Sequence, residues 1–194
     1  MSHDTVSRSV FGVTHRTIVA RILRTFDRAT SSDIEAGARW YDEAGELATE
    51  LATGDVSRAH AAVVIAHMSP RTTWTRNVLG ARALIESGQQ YPGIMGDLYE
   101  RALASLEFLD PFDSFGPAAR KTLSFARNIY GDREAVTVDV WAARVADLDE
   151  NLLSRKGAYD AVAHAYRLAA IARGVDPATM QATTWIVARN GRSS

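Results

Sequence analysis

The chain has 194 residues, 22 Lys plus Arg against 23 Asp plus Glu, a formal net charge of −1 and 46% hydrophobic residues. That length and apolar content suffice for one packed domain and exclude disorder as the main state. The charge balance excludes a polybasic binder, so any contact with DNA must rest on a local patch. Because the chain has no cysteine, disulfides, thiolate zinc sites, thiol nucleophiles and cysteine-held clusters are ruled out together. Met1-Ser2-His3-Asp4 opens no signal-peptide core, and no run of about 18 apolar residues occurs. A cytoplasmic protein with no membrane partner is expected.

Apolar residues recur at helical spacing almost throughout. The first helix is expected over Thr17–Ala29, with Ile18, Ile22, Leu23 and Phe26 on one face. Ser32-Asp33-Ile34-Glu35 reads as a capping box opening a second helix that runs to about Thr53 and stops at Gly54. A third opens at Asp55 or Ser57 and passes through Met68, and a fourth opens at Thr72 or Thr73 and ends at Gly88. After a loop over Gln89–Gly96, a fifth covers Asp97–Phe108 and leads into the turn-rich Leu109–Gly116. Pro117 suits the first position of a sixth helix, and Gly131 its stop. Ala135-Val136-Thr137-Val138 is an extended approach to a seventh helix starting at Asp139. An eighth covers Ala158–Arg173 before Gly174, and Asp176-Pro177 caps a ninth through Val187. Nine helices without a repeat or linker predict a single all-α domain over 1–194.

Chemistry concentrates between Phe115 and Val145. The turn at Gly116 and the start of the sixth helix offer backbone amides and the positive end of a helix dipole, with Arg120, Lys121 and Arg127 close by in sequence. Asp139 ends an apolar run beside Trp141, where partial desolvation would favour a general base or an electrostatic partner for a developing cation. The simpler reading makes Asp139 a helix N-cap. Lys121 and Lys156 are the two lysines among the 22 cations. An amine can lose its proton where a guanidinium cannot.

Val138-Asp139-Val140-Trp141-Ala142-Ala143-Arg144-Val145 resembles the Val-Asp-x-His-x-x-Arg-Val motif of the helix-hairpin-helix DNA glycosylase superfamily, with Trp141 at the histidine's place. Lys121 and Asp139 stand 18 residues apart, the separation found in bifunctional members of that superfamily. Ser69-Pro70-Arg71-Thr72-Thr73-Trp74 looks like its Leu-Ser-x-Gln-x-Thr stretch, with Arg71 at the position whose side chain fills the gap left by a flipped-out base. The match spans about residues 63–147. It departs at the hairpin, where Phe115-Gly116-Pro117-Ala118-Ala119 replaces Leu-Pro-Gly-x-Gly and Pro117 removes a phosphate-binding amide. The whole chain also resembles a small actinobacteriophage family that shares Ser69-Pro70 with Trp74 and Asn77, Val136-Thr137-Val138-Asp139 and Gln181-Ala182-Thr183-Thr184-Trp185.

The resemblance implies DNA as partner, no cofactor, Asp139 and Lys121 as catalytic residues, and Arg71, Trp74, Arg76, Gly116, Arg120, Arg127 and Arg144 on DNA. Ser69, Asn77 and Trp141 would line a pocket. Asp139 would stabilise oxocarbenium character at the sugar, and Lys121 would attack C1′. Two rival readings keep the fold: a phage base-hypermodification enzyme resembling pyrophosphorylases on modified thymine, and a non-catalytic DNA or protein binder. If phage-encoded, the protein would act in the host cytoplasm.

Other features read more simply. Asp42, Glu43, Glu46 and Glu50 form a solvated acidic face, while Arg8, Arg16, Arg21, Arg24 and Arg28, with Arg71, Arg76 and Arg82, are candidates for the basic patch. His60 and His67 lack a third ligand, so no metal is expected. Tyr159, His164, Tyr166, Gln181 and Trp185 read as packing residues first.

Overall fold

A computed structural model describes residues 9, 10 and 12–191. Among them are nine α-helices: α1 (His15–Phe26), α2 (Ser31–Leu51), α3 (Arg58–His67), α4 (Trp74–Ser87), α5 (Gly96–Ser105), α6 (Arg120–Tyr130), α7 (Val140–Val145), α8 (Ala158–Arg173) and α9 (Pro177–Arg189). The fold is all-α, the class that the helical spacing predicts. A two-residue antiparallel pair, β1 (Ser9–Val10) with β2 (Val13–Thr14), was not foreseen. Short 3-10 turns at Pro111–Ser114 and Glu150–Ser154 complete the elements. Among the described residues no helix is long and apolar enough to cross a membrane.

Local chemistry explains most boundaries. Ser57, Thr73, Asp139 and Asp176 each accept a backbone amide at the start of α3, α4, α7 and α9. Gly88, Gly131 and Gly174 end α4, α6 and α8 in the left-handed conformation that glycine adopts without strain. Two expectations need correction. The box opening α2 lies at Thr30 and Asp33 rather than Ser32 and Glu35: Asp33 Oδ2 accepts from the Thr30 amide at 2.8 Å, and Thr30 Oγ1 accepts from the Asp33 amide at 3.2 Å. Pro117 is not the first residue of α6. Ala119 N donates to Gly116 O at 2.9 Å, closing a separate turn, and the helix starts at Arg120.

By their contacts the residues form two compact units, Met1–Tyr41 with Arg133–Ser194, and Asp42–Asp132. In the first, α9 is buried along most of its length among α1, α7 and α8. Ile18, Ile22, Val136, Val138, Val162, Tyr166 and Met180 form its core. Gly37 permits a close approach to α9, since a Cβ there would meet Thr183 Oγ1 and stand 2.8 Å from the Thr183 backbone nitrogen. The second unit centres on α3, whose residues from Ala61 to His67 are all buried and which packs on α4, α5 and α6. Its core is aliphatic and small, with Ala61, Ala62, Val64, Ile65, Leu84, Leu98 and Ile129 at its centre.

Candidate functional site

In the first unit, the segment before α7 is fixed from several sides. Ala178 N donates to Arg133 O at 3.1 Å, and Arg167 Nε to Glu134 O at 3.1 Å. The Tyr159 hydroxyl donates to Val136 O at 2.9 Å and accepts from Val138 N at 3.2 Å. Ala135, Val136, Thr137 and Val138 are buried, as the apolar run predicts. These bonds deliver Asp139 to the start of α7, where its Oδ1 accepts from Ala142 N at 2.8 Å. The N-cap role is therefore present, and with Oδ1 so engaged the carboxylate keeps lone pairs for other partners.

Asp139 borders a buried polar network that runs along α9. The Tyr41 hydroxyl donates to Gln181 Oε1 at 2.8 Å and is hydrogen-bonded to Thr137. Thr184 Oγ1 donates to Gln181 O at 3.0 Å and lies 3.4 Å from the Tyr166 hydroxyl. Burial, and then the Asp139 charge among other causes, pushes the phenols of Tyr41 and Tyr166 well above their usual range. Both stay protonated at neutral pH. Tyr41 and Thr137 escaped sequence reasoning; Tyr41 meets Gln181 across 140 positions, and no local spacing announces that pairing.

Trp141 and Arg144 share this unit. The Arg144 guanidinium lies over the Trp141 ring, 4.8 Å from its centre, and pairs with Glu150 at 3.3 Å. Its charge is thus partly spent within the unit, although its side chain remains exposed.

The second unit holds Lys121, Arg71, Trp74, Arg76, Gly116, Arg120, Arg127, Ser69 and Asn77. α6 begins without a side-chain cap, with Arg120 and a half-buried Lys121 in its first turn and an exposed Arg127 in its last. The exposed Gly116 has room for a side chain, so the turn it opens does not require glycine. The Ser69 hydroxyl donates to Ala66 O at 2.9 Å, and Thr72 N to Ser69 O at 3.3 Å, closing a turn that holds Arg71 at φ 57°. That conformation is uncommon for a side chain other than glycine, asparagine or aspartate. Arg71 and Arg76 are exposed, and Trp74 is half-buried against the aliphatic core. Asn77 is 1% exposed and its Oδ1 has no hydrogen-bond partner, a rare condition for a buried polar atom.

The wider basic patch is smaller than the sequence suggests. Arg82 pairs with Glu50 at 2.8 Å and with Glu86 at 3.1 Å. Arg21 is taken by the Asp147 carboxylate at 2.9 Å and by the carbonyls of Ala146 and Asp147. Arg28 also has partners, Arg16 and Arg24 are exposed, and Arg8 lies outside the described residues. Asp42, Glu43, Glu46 and Glu50 are exposed, as expected.

His67 stands out in the second unit. Its ring stacks on Phe115 at 4.2 Å between centres, and its Nε2 lies 2.9 Å from Ser114 Oγ, which itself donates to Pro111 O. The imidazole therefore donates, and it ties the end of α3 to the segment before α6. Burial first, and then the Arg101 charge, lowers its pKa to about 4. Among the described residues no group of three or more His, Asp or Glu side chains is placed to hold a metal ion.

A family model described as "Family of unknown function (DUF7178)" matches residues 4–192, almost the whole chain. No curated protein and no solved structure matches significantly.

Proposed function

The chain belongs to the DUF7178 family, and we propose that it is a DNA glycosylase-like protein acting on a base in DNA. One observation carries this reading: a turn at Gly116–Ala119, an uncapped α6 led by Arg120 and Lys121, and then Asp139 at the start of α7 occur in the order found in that superfamily. An uncapped helix start with cations beside it suits a DNA phosphate. Asp139 would stabilise positive charge as the bond between sugar C1′ and the base lengthens. Lys121 as neutral amine would attack C1′, the base would leave with the bonding pair, and ring opening would give a Schiff base on Nζ. Arg71 and Trp74 would occupy or stack at the vacated base position. The protein would act in the cytoplasm, that of the host if it is phage-encoded.

The test is incubation with duplexes holding uracil, hydroxymethyluracil, mismatches or phage-modified bases, followed by borohydride. Base release that Asp139→Asn abolishes, with a trapped adduct that Lys121→Ala abolishes, is the expected result. Failure on every substrate removes the excision reading. Base hypermodification keeps Asp139 but not Lys121, and nucleoside analysis of treated DNA separates substitution from excision. A non-catalytic binder gains support from one bond: the Ala142 amide already gives Asp139 a structural role. DNA retention that survives Asp139→Asn but fails on charge reversal at Arg71 or Arg120 would favour it.

A further inference from the structure

We propose that the apolar surface at the C-terminal end of α5, made by Leu103, Ala104, Phe108 and Leu109, is a docking site for a basic amphipathic helix of a partner protein. Leu109 is fully exposed, Phe108 is 41% exposed and Leu103 38%, and Ala104 is exposed with them. Leu103 with Glu107 and Ala104 with Phe108 are four positions apart, the spacing of neighbours on one helical face. Consecutive bonds from Leu106 N, Glu107 N and Phe108 N to Leu103 O, Ala104 O and Ser105 O carry the winding past the end of α5. The apolar side chains thus adjoin one another. A contiguous apolar patch edged by polar groups marks an interaction site, where scattered single residues do not.

The segment that presents the patch is pinned from both sides. His60 Nε2 donates to Phe108 O at 3.0 Å, and Asp110 Oδ1 accepts from Phe112 N at 3.0 Å. Pro111 is buried, and Ser114 Oγ donates to Pro111 O at 2.6 Å. The 3-10 turn Pro111–Ser114 packs on both α3 and α5. A fully exposed leucine on a backbone held in this way offers a partner apolar surface with little left to order on binding.

Charge selects the partner. Glu100, Glu107, Asp110 and Asp113 are exposed along this stretch, and among the described residues none of the four is in an ion pair. The one lysine or arginine between them, Arg101, is paired with Asp97 at 3.5 Å. These uncompensated carboxylates repel DNA phosphate and anionic lipid headgroups, and they attract lysine and arginine. An apolar strip flanked by acids is complementary to a helix whose apolar face is flanked by cations. None of these residues serves the proposed action on DNA, so either reading can fail without the other.

The full-length chain should bind a fluorescein-labelled peptide of about 15 residues, with leucine at helical spacing and lysine on its flanks, as read by anisotropy. Amide NMR shifts on binding should centre on residues 100–113. Leu109→Ser should weaken binding about tenfold, and Glu107→Lys should weaken it and flatten its dependence on salt. Glu46→Lys, on the exposed acidic face of α2, should change neither. Should Leu109→Ser fail to fold, the shift map of the native chain decides. No binding, equal binding of the same peptide residues in scrambled order, an affinity that folded Leu109→Ser leaves unchanged, shifts centred elsewhere, or a dimer of the chain that Leu109→Ser abolishes would overturn the proposal.

Discussion

The two units bury polar groups to different extents. The core of the first is threaded by hydroxyls, an amide and a carboxylate at its edge: Tyr41 is hydrogen-bonded to Gln181 and Thr137, Thr184 to Gln181 O and Tyr166, and Tyr159 to the backbone of Val136 and Val138. The second is built on the alanines, valines and isoleucine of α3 and buries fewer polar side chains, His67, Asn77, Ser105 and Asn128; each unit has one buried oxygen without a hydrogen-bond partner among the described residues, Thr183 Oγ1 in the first and Asn77 Oδ1 in the second. An aliphatic core tolerates changes of shape while volume is kept. A hydrogen-bonded core penalises the loss of a single atom, because its former partner is left dry and unpaired. The first unit is accordingly the one whose interior dictates a specific arrangement beside Asp139.

The sharpest test of this contrast is Gly37→Ala. The added methyl would collide with Thr183 where α2 approaches α9 in the first unit. The clash should cost about 3 kcal/mol, outweighing the roughly 1 kcal/mol gained in helix propensity, and a thermal melt should fall by several degrees. Acidification tests the second unit. The folded pKa of His67, about 4, lies below its unfolded value of 6.5. Its contribution is therefore complete above about pH 6.5 and declines as pH falls towards 4, since the unfolded chain takes up the proton first. Chemical denaturation at pH 7 and pH 4.5 should show a loss on the order of 2–3 kcal/mol that His67→Gln reduces.

Tyr41→Phe removes one oxygen and leaves Gln181 Oε1 unpaired, at a cost of about 1–3 kcal/mol in urea unfolding. An equal-volume swap in α3, Ile65→Leu, should cost under about 1.5 kcal/mol; a larger loss there than at Tyr41 would reverse the comparison. The smallest effect is expected from Asp139→Asn. Asparagine caps as well as aspartate, so stability should change by no more than a few tenths of a kcal/mol, making it a clean probe of chemistry at that position.

Much of this framework is legible along the chain because caps and stops are local. Ser57, Thr73, Asp139, Gly88 and Gly174 mark their helix ends without any tertiary information. Misreadings arise where two local solutions compete. Thr30 with Asp33 outcompetes Ser32 with Glu35, and the Gly116–Ala119 turn takes Pro117 before α6 can. Asp139 was visible from its position after an apolar run, and Tyr159 and Tyr166 as packing residues, but Tyr41 and the hydrogen bonds that these hydroxyls make were not. Tyr41 reaches Gln181 and Tyr159 reaches Val136 only after distant segments meet. For the same reason Arg82 looked like a surface cation, although its neutralising Glu50 sits 32 positions earlier.

The bond from Arg21 to Asp147 joins residues 126 positions apart, and it belongs to a unit whose sequence is interrupted by the whole of the other. During synthesis from the N-terminus, α1 leaves the ribosome long before α8 and α9, its partners, have been made. The continuous stretch Asp42–Asp132 has all its contacts available first, so it is expected to fold early while the amphipathic α1 waits exposed. A truncation before α8 should therefore leave a chain whose first helix is a target for chaperones.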